Sequence, residues 1–242
     1  MGIFNLFRRF FVTRKCVLCK EPVSYDLDTP FCVDCQAKWD SFCKTTCHKC
    51  GYKHTECTCL PSSARGISRN GVGWCYFYNS DSKFAPNNLV FRLKREYNRD
   101  VVEFIAGEIS KKAVQLSSMR GFNYKNYVVT YAPRRKNGRN RYGIDQSKKI
   151  AKEVAKNLGL EFESCLYNVG KREQKRLTKR ERKENATKSY VLKGGVNLEN
   201  KSYFLIDDII TTGATMKACA DLLYSGGASD VIPLAYAKDN SK

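Results

Sequence analysis

The segment Phe204-Leu205-Ile206-Asp207-Asp208-Ile209-Ile210-Thr211-Thr212-Gly213-Ala214-Thr215-Met216 limits what this chain can fold into more than any other. An apolar run of buried-strand type delivers two carboxylates at its C-terminal end, where open α/β sheets bind their ligands. A turn carrying three hydroxyls follows. It leads into a helix with Met216, Cys219, Ala220 and Leu223 along one face. The first N–H groups of such a helix have no intrahelical partner, and together with the helix dipole they favour a phosphate. Thr211, Thr212, Gly213, Ala214 and Thr215 are therefore the expected phosphate loop. Asp207 and Asp208 stand where they can accept two sugar hydroxyls. The order strand, acidic pair, hydroxyl turn, helix points to a ribose phosphate.

The text on either side suits such a sheet, since strand-like and helix-like segments alternate beyond Gly71. Strands are expected at 74–78, 127–131, 162–169, 190–192, 203–206 and 231–236. Pro233 suggests that the last of these is an edge or irregular strand. Val101, Ile105, Ile109, Ala113 and Leu116 recur at helical spacing and predict a helix over 99–117. Ile150, Ala151, Val154, Ala155 and Leu158 line a second helix, which Gly159 should end. The stretch 61–66 reads as a linker, giving an apolar N-terminal segment 1–14, a cysteine-rich module 15–62 and an α/β domain 70–242.

Nine of the twelve cysteines lie between positions 16 and 59. Cys16-x-x-Cys19 is followed after twelve residues by Cys32-x-x-Cys35, a spacing that presents four thiolates to one tetrahedral zinc. Metal then replaces the apolar core that a segment this short cannot build. Cys47-x-x-Cys50-Gly51 opens a second cluster and Cys57-x-Cys59 closes it. His54, Cys43 and His48 remain alternative ligands there. Closed four-ligand sites are structural, so no zinc chemistry is expected. Disulfides are not expected, because residues 1–12 are apolar but lack the small-residue cleavage site of a secretory signal. That segment is expected to dock on its own domain. No apolar run approaches the ~20 residues that span a bilayer.

Net charge is +19. Residues 134–188 hold eighteen Lys/Arg against seven Asp/Glu, so more than half of the excess lies in less than a quarter of the chain. Such a field favours polyanions, nucleic acid among them. A solvated basic surface explains it equally well.

Residues 204–216 resemble the phosphoribosyl pyrophosphate signature of type I phosphoribosyltransferases, and the whole chain resembles the ComF family of competence proteins. In that family a double zinc module of zinc-ribbon type precedes a phosphoribosyltransferase-like domain, a parallel sheet flanked by helices. Three further stretches carry the resemblance. They are Tyr131-Ala132-Pro133-Arg134-Arg135, Arg141-Tyr142-Gly143-Ile144-Asp145-Gln146, and the basic run Gln174-Lys175-Arg176-Leu177 with Arg180, Arg182 and Asn185. The resemblance implies that Asp207 and Asp208 hold the ribose hydroxyls of phosphoribosyl pyrophosphate and act in any catalysis. It places Arg134 and Arg135 by the pyrophosphate with magnesium, and Arg141 and Gln146 among the ligand-binding residues. The cysteines Cys16, Cys19, Cys32, Cys35, Cys47, Cys50, Cys57 and Cys59 would hold two zinc ions.

Two functions follow as expectations. One is a cytoplasmic competence protein that binds a ribose phosphate and engages single-stranded DNA or a partner of the competence machinery. The other is an active phosphoribosyltransferase of nucleotide metabolism. Position 2 is not the cysteine nucleophile of the amidotransferase relatives, and six residues follow Tyr236, little for a base-binding hood. Both points favour the first function. The intact acidic pair keeps the second open.

Overall fold

A computed structural model describes residues 15–23, 29–79, 85–95, 98–134, 145–170 and 189–240. Its centre is a four-stranded parallel sheet in the order β1-β6-β5-β2, formed by β1 (Gly73–Tyr78), β2 (Tyr127–Tyr131), β5 (Ser202–Ile210) and β6 (Asp230–Asp239). Beyond β2, residues 161–163 continue the parallel pairing through Val129 N to Glu161 O at 2.8 Å and Glu163 N to Val129 O at 2.9 Å. Two short strands, β3 (Leu166–Asn168) and β4 (Tyr190–Leu192), pair antiparallel beside the sheet.

Both faces of the sheet are covered, as parallel sheets require. On one face lie α3 (Arg99–Arg120) and α4 (Gln146–Leu158), and on the other α5 (Ala214–Ser225). Alternation along β5 sends Phe204 and Ile206 into the core under α3 and α4, and Tyr203 and Leu205 into the core under α5. Two short-range signals set the helix limits. Asn98 caps α3 by accepting from Val101 N at 3.0 Å, and Asp145 caps α4 through Lys148 N at 3.3 Å. Gly121 at φ 72° and Gly159 at φ 64° end the two helices in the left-handed region that glycine tolerates best.

Pro233 departs from expectation, since β6 is a central strand. Pairing with β1 begins only at Leu234, so Pro233 sits where β6 has β5 as its sole strand neighbour. Locally the proline does occupy an open edge, where a missing N–H breaks no ladder. Two helices carry no expectation from sequence, α1 (Val33–Cys43) and α2 (Ala85–Arg95). In α1 the buried positions Cys35, Trp39 and Phe42 do recur at helical spacing. The N-terminal segment expected to dock, residues 1–14, lies outside the described residues.

The cysteine-rich region shares the core of the sheet domain. Phe31, Trp39 and Phe42 join one apolar cluster with Tyr76, Ile105 and Tyr236. Trp39 stacks on Phe31 at 4.7 Å between centroids and meets Tyr76 edge-on at 4.9 Å and Phe104 at 5.4 Å.

Candidate ribose phosphate site and cysteine clusters

The acidic pair stands at the C-terminal end of β5. Asp207 Oδ1 accepts from Ser147 Oγ of α4 at 3.0 Å and from Asp208 N at 2.9 Å. Asp208 is buried and receives the Arg134 guanidinium, which arrives from the loop after β2. Arg134 N in turn donates to Asp145 Oδ2 at 3.1 Å, so the cap of α4 also fixes the arginine. Burial, and after it the charge of Asp208, pushes the Asp207 carboxyl up to about 7, against the pull of Arg134 and the two hydrogen bonds. Near neutrality the Asp207 carboxyl therefore stands between its protonated and charged forms, a state that an incoming cation can tip.

Past β5 the chain turns through exposed Thr211 and Thr212 into Gly213, at φ 80°, and then into α5. Thr212 Oγ1 accepts from Ala214 N at 3.3 Å. Gly213 is required twice over. Its φ disfavours any side chain, and a Cβ would lie 2.7 Å from Ala64 Cβ and 2.9 Å from Ala64 N. Ala64, just after the cysteine-rich region, thus packs directly on the turn before α5.

The structure brings Asp207, Asp208 and Arg134 together at the start of this turn. Gln146 is placed differently: it is buried, and its Nε2 donates to Leu93 O of α2 at 2.8 Å. Arg135 and Arg141 lie outside the described residues, as does the basic run 171–188. Sequence reasoning did not single out Ser147, the hydroxyl on Asp207. One turn into a helix behind an aspartate cap, it carries no signal of its own.

Each cysteine cluster gathers four thiols whose sulfurs all lie within 4.8 Å of one another. Zinc with ~2.3 Å bonds in a tetrahedron needs sulfurs about 3.8 Å apart. Cys19 and Cys32 stand at 3.5 Å and Cys50 and Cys57 at 3.7 Å, so both sets could hold a zinc ion. The two opening knuckles share one geometry. Cys16 N donates to Glu21 O and Cys47 N to Tyr52 O, both at 2.8 Å, around Lys20 at φ 71° and Gly51 at φ 73°. Although burial opposes it, backbone N–H groups aimed at the sulfur lower the Cys47 thiol to about 6 and the Cys16 thiol to about 7. Such thiols give up their protons to a metal at neutral pH.

Among the alternative ligands, His54 is buried against Tyr76 and Phe77, and His48 Nδ1 meets Asn240 Oδ1 at 3.0 Å. The second four-ligand group is Cys47, Cys50, Cys57 and Cys59. A cleft of about 130 Å³ runs from this cluster to Thr211, walled by Leu60, Pro61 and Asp239.

No family model matches the chain. The competence protein ComFC of Streptococcus pneumoniae (strain ATCC BAA-255 / R6) is 25% identical over 238 residues, spanning 90% of this chain and 96% of that protein. Among solved structures, phosphoribosylpyrophosphate synthetase from Mycobacterium smegmatis aligns at 20% identity and a TM-score of 0.32. That alignment covers 57% of this chain and 33% of the synthetase, so the chain spans about a third of that enzyme's length. A hypoxanthine phosphoribosyltransferase from Staphylococcus aureus aligns at 16% identity and a TM-score of 0.36, over 57% of this chain and 73% of that one. With two four-cysteine clusters set before a parallel α/β sheet, and with ComFC matched almost end to end, the chain is similar to the ComF family of competence proteins.

Proposed function

We propose that this chain binds phosphoribosyl pyrophosphate or a related ribose phosphate at the end of β5 and acts in natural competence, in the uptake or processing of single-stranded DNA. The observation that best supports the ligand is the acidic pair set directly before a hydroxyl-bearing turn, with Arg134 already against Asp208. Asp207 and Asp208 take the ribose hydroxyls, and Thr211, Thr212, Gly213, Ala214 and Thr215 take the 5-phosphate at the N-terminus of α5. Arg134 exchanges its carboxylate for the pyrophosphate, joined there by Arg135 and Arg141, and Gln146 completes the ligand-binding set. Magnesium carried by the pyrophosphate offsets its charge. Residues 15–62 act as a module holding two structural zinc ions, ahead of the ligand-binding domain 70–242. Similarity to ComFC supports the competence role, and the net charge of +19 supports a polyanionic partner. Among the described residues no helix is long and apolar enough to cross a membrane. A cytoplasmic setting accords with eight thiols free to bind metal.

Calorimetry with phosphoribosyl pyrophosphate and magnesium tests the ligand. Each carboxylate bond is worth ~1.5–3 kcal/mol, so Asp207→Asn with Asp208→Asn should weaken binding at least tenfold per carboxylate; unchanged affinity would sink the assignment. For DNA, a labelled single-stranded oligonucleotide is titrated across salt concentrations. Replacing Arg172, Arg176 and Arg180 by alanine should flatten the slope by about 0.7 log units per lost phosphate contact. The intact acidic pair also favours a second reading, an active phosphoribosyltransferase, which pyrophosphate release on adding an acceptor base would reveal.

A further inference from the structure

The second cysteine cluster meets the sheet at a buried lysine. Lys238, near the end of β6, is 4% exposed. Its Nζ donates to Cys59 O at 2.7 Å and to Cys57 Sγ at 3.5 Å, and it lies 4.9 Å and 5.3 Å from the ring centroids of Trp74 and Phe77. A buried ammonium is costly unless it is paired with negative charge. One carbonyl and two ring faces offset only part of that cost. Four thiolates around one divalent ion carry two excess negative charges, and two of the four, Cys47 and Cys57, are buried. Each group is what the other lacks.

We propose that Lys238 is the counter-charge of the second four-thiolate site, a positioning residue that holds Cys57 and Cys59 and slows loss of the metal ion. This rests on reading the two clusters as metal sites. The consequence reaches the phosphate turn. Lys238 stands in register with Ile210, the residue before Thr211, and Cys59 leads within five residues to Ala64, which touches Gly213. Lys238 and Ala64 thus tie the turn to the second metal site from two sides.

The test uses the zinc-loaded full chain, with release followed in excess chelator and the second site's phase assigned by Cys59→Ser. Outer partners of metal ligands commonly change affinity by about 10–100-fold when removed. Lys238→Met should speed release from the second site by that factor, leave the first site unchanged, and be largely reversed by Lys238→Arg. Wild-type protein that holds no metal would overturn the metal reading itself. Two bound ions with Lys238→Met releasing at the wild-type rate would overturn only the counter-charge. Should Lys238→Met not fold, amine acetylation of the wild type decides. Lys238 should be protected while the second ion is bound and should react at the rate of its release, and labelling indifferent to the metal would end the proposal.

Discussion

The two cysteine clusters begin with the same knuckle and end in different structures. In the first, Cys32 and Cys35 open α1, which carries Trp39 and Phe42 into the core shared with the sheet. In the second, Cys57 ends a turn from Lys53 and no helix follows. His54 packs on Tyr76 and Phe77 of β1, and polar groups add the rest of the seat: Lys238 on Cys57 and Cys59, and Asn240 on His48 and Thr46. One metal site would brace an aromatic anchor, the other a polar joint beside the phosphate turn. Identical ligand chemistry can thus serve stability in one place and positioning in another, according to what the closing half of the motif touches.

Removing the anchor should have the largest effect. Trp39→Ala deletes a buried ring with four aromatic neighbours and should cost about 3–5 kcal/mol in denaturant unfolding. Tyr52→Ala, at the exposed knuckle of the second cluster, should stay within about 0.5 kcal/mol. Equal losses would erase the contrast.

Gly213→Ala probes the joint. A left-handed φ costs a side chain ~1–2 kcal/mol and the forced contact with Ala64 adds about 1–3, so a loss of roughly 2–5 kcal/mol is expected. Ala64→Gly should recover only the contact part. Full recovery would show that φ at Gly213 is not strained for alanine.

Solution pH separates the two regions next. Folding raises the Asp207 carboxyl from 3.8 to about 7, so the native state holds this proton more tightly than the unfolded chain. Its contribution to stability is fully present below about pH 4 and is lost as pH rises through about 7. Urea midpoints should follow that fall in wild type and in Trp39→Ala alike, but not in Asp207→Asn. A slope that survives Asp207→Asn would place the titration elsewhere.

The smallest effect compares the knuckles themselves. Lys20 adopts the left-handed conformation that Gly51 adopts in the second knuckle. Relief of ~1–2 kcal/mol of strain, less the added freedom of the unfolded chain, should make Lys20→Gly stabilising by about 0.5 kcal/mol. A loss would mean that the Lys20 side chain contributes contacts of its own.

The sheet was legible in the sequence because its strands are compact apolar runs and its helices carry cap residues where periodicity stops. The turn from β5 into α5 was legible because acids, hydroxyls and glycine fall in a fixed order on neighbouring residues. What local sequence could not show is contact between distant segments. That Asp208 would meet Arg134 depends on the β2–β5 pairing, and that Lys238 would meet Cys57 depends on packing across 181 residues. α1 was hidden because its cysteines read as ligands, leaving too few apolar positions to reveal the period. Pro233 misled because edge character belongs to a position along a strand, not to the whole strand.

The pairing of β1 with β6 has a consequence for synthesis. The strand nearest the cysteine-rich region waits for the strand formed from the last described residues, and the contacts of His48 and Thr46 with Asn240 span 192 and 194 residues. All four cysteines of the first cluster and the whole of α1 lie within residues 16–43, so this half of the region needs no later segment to bring its thiols together. The second cluster can bind metal early, but it lacks its seat until β6 appears. Contacts of this span form late and slowly. The polar joint therefore stays unfinished until β6 is made, and the turn before α5 is held from both sides only then.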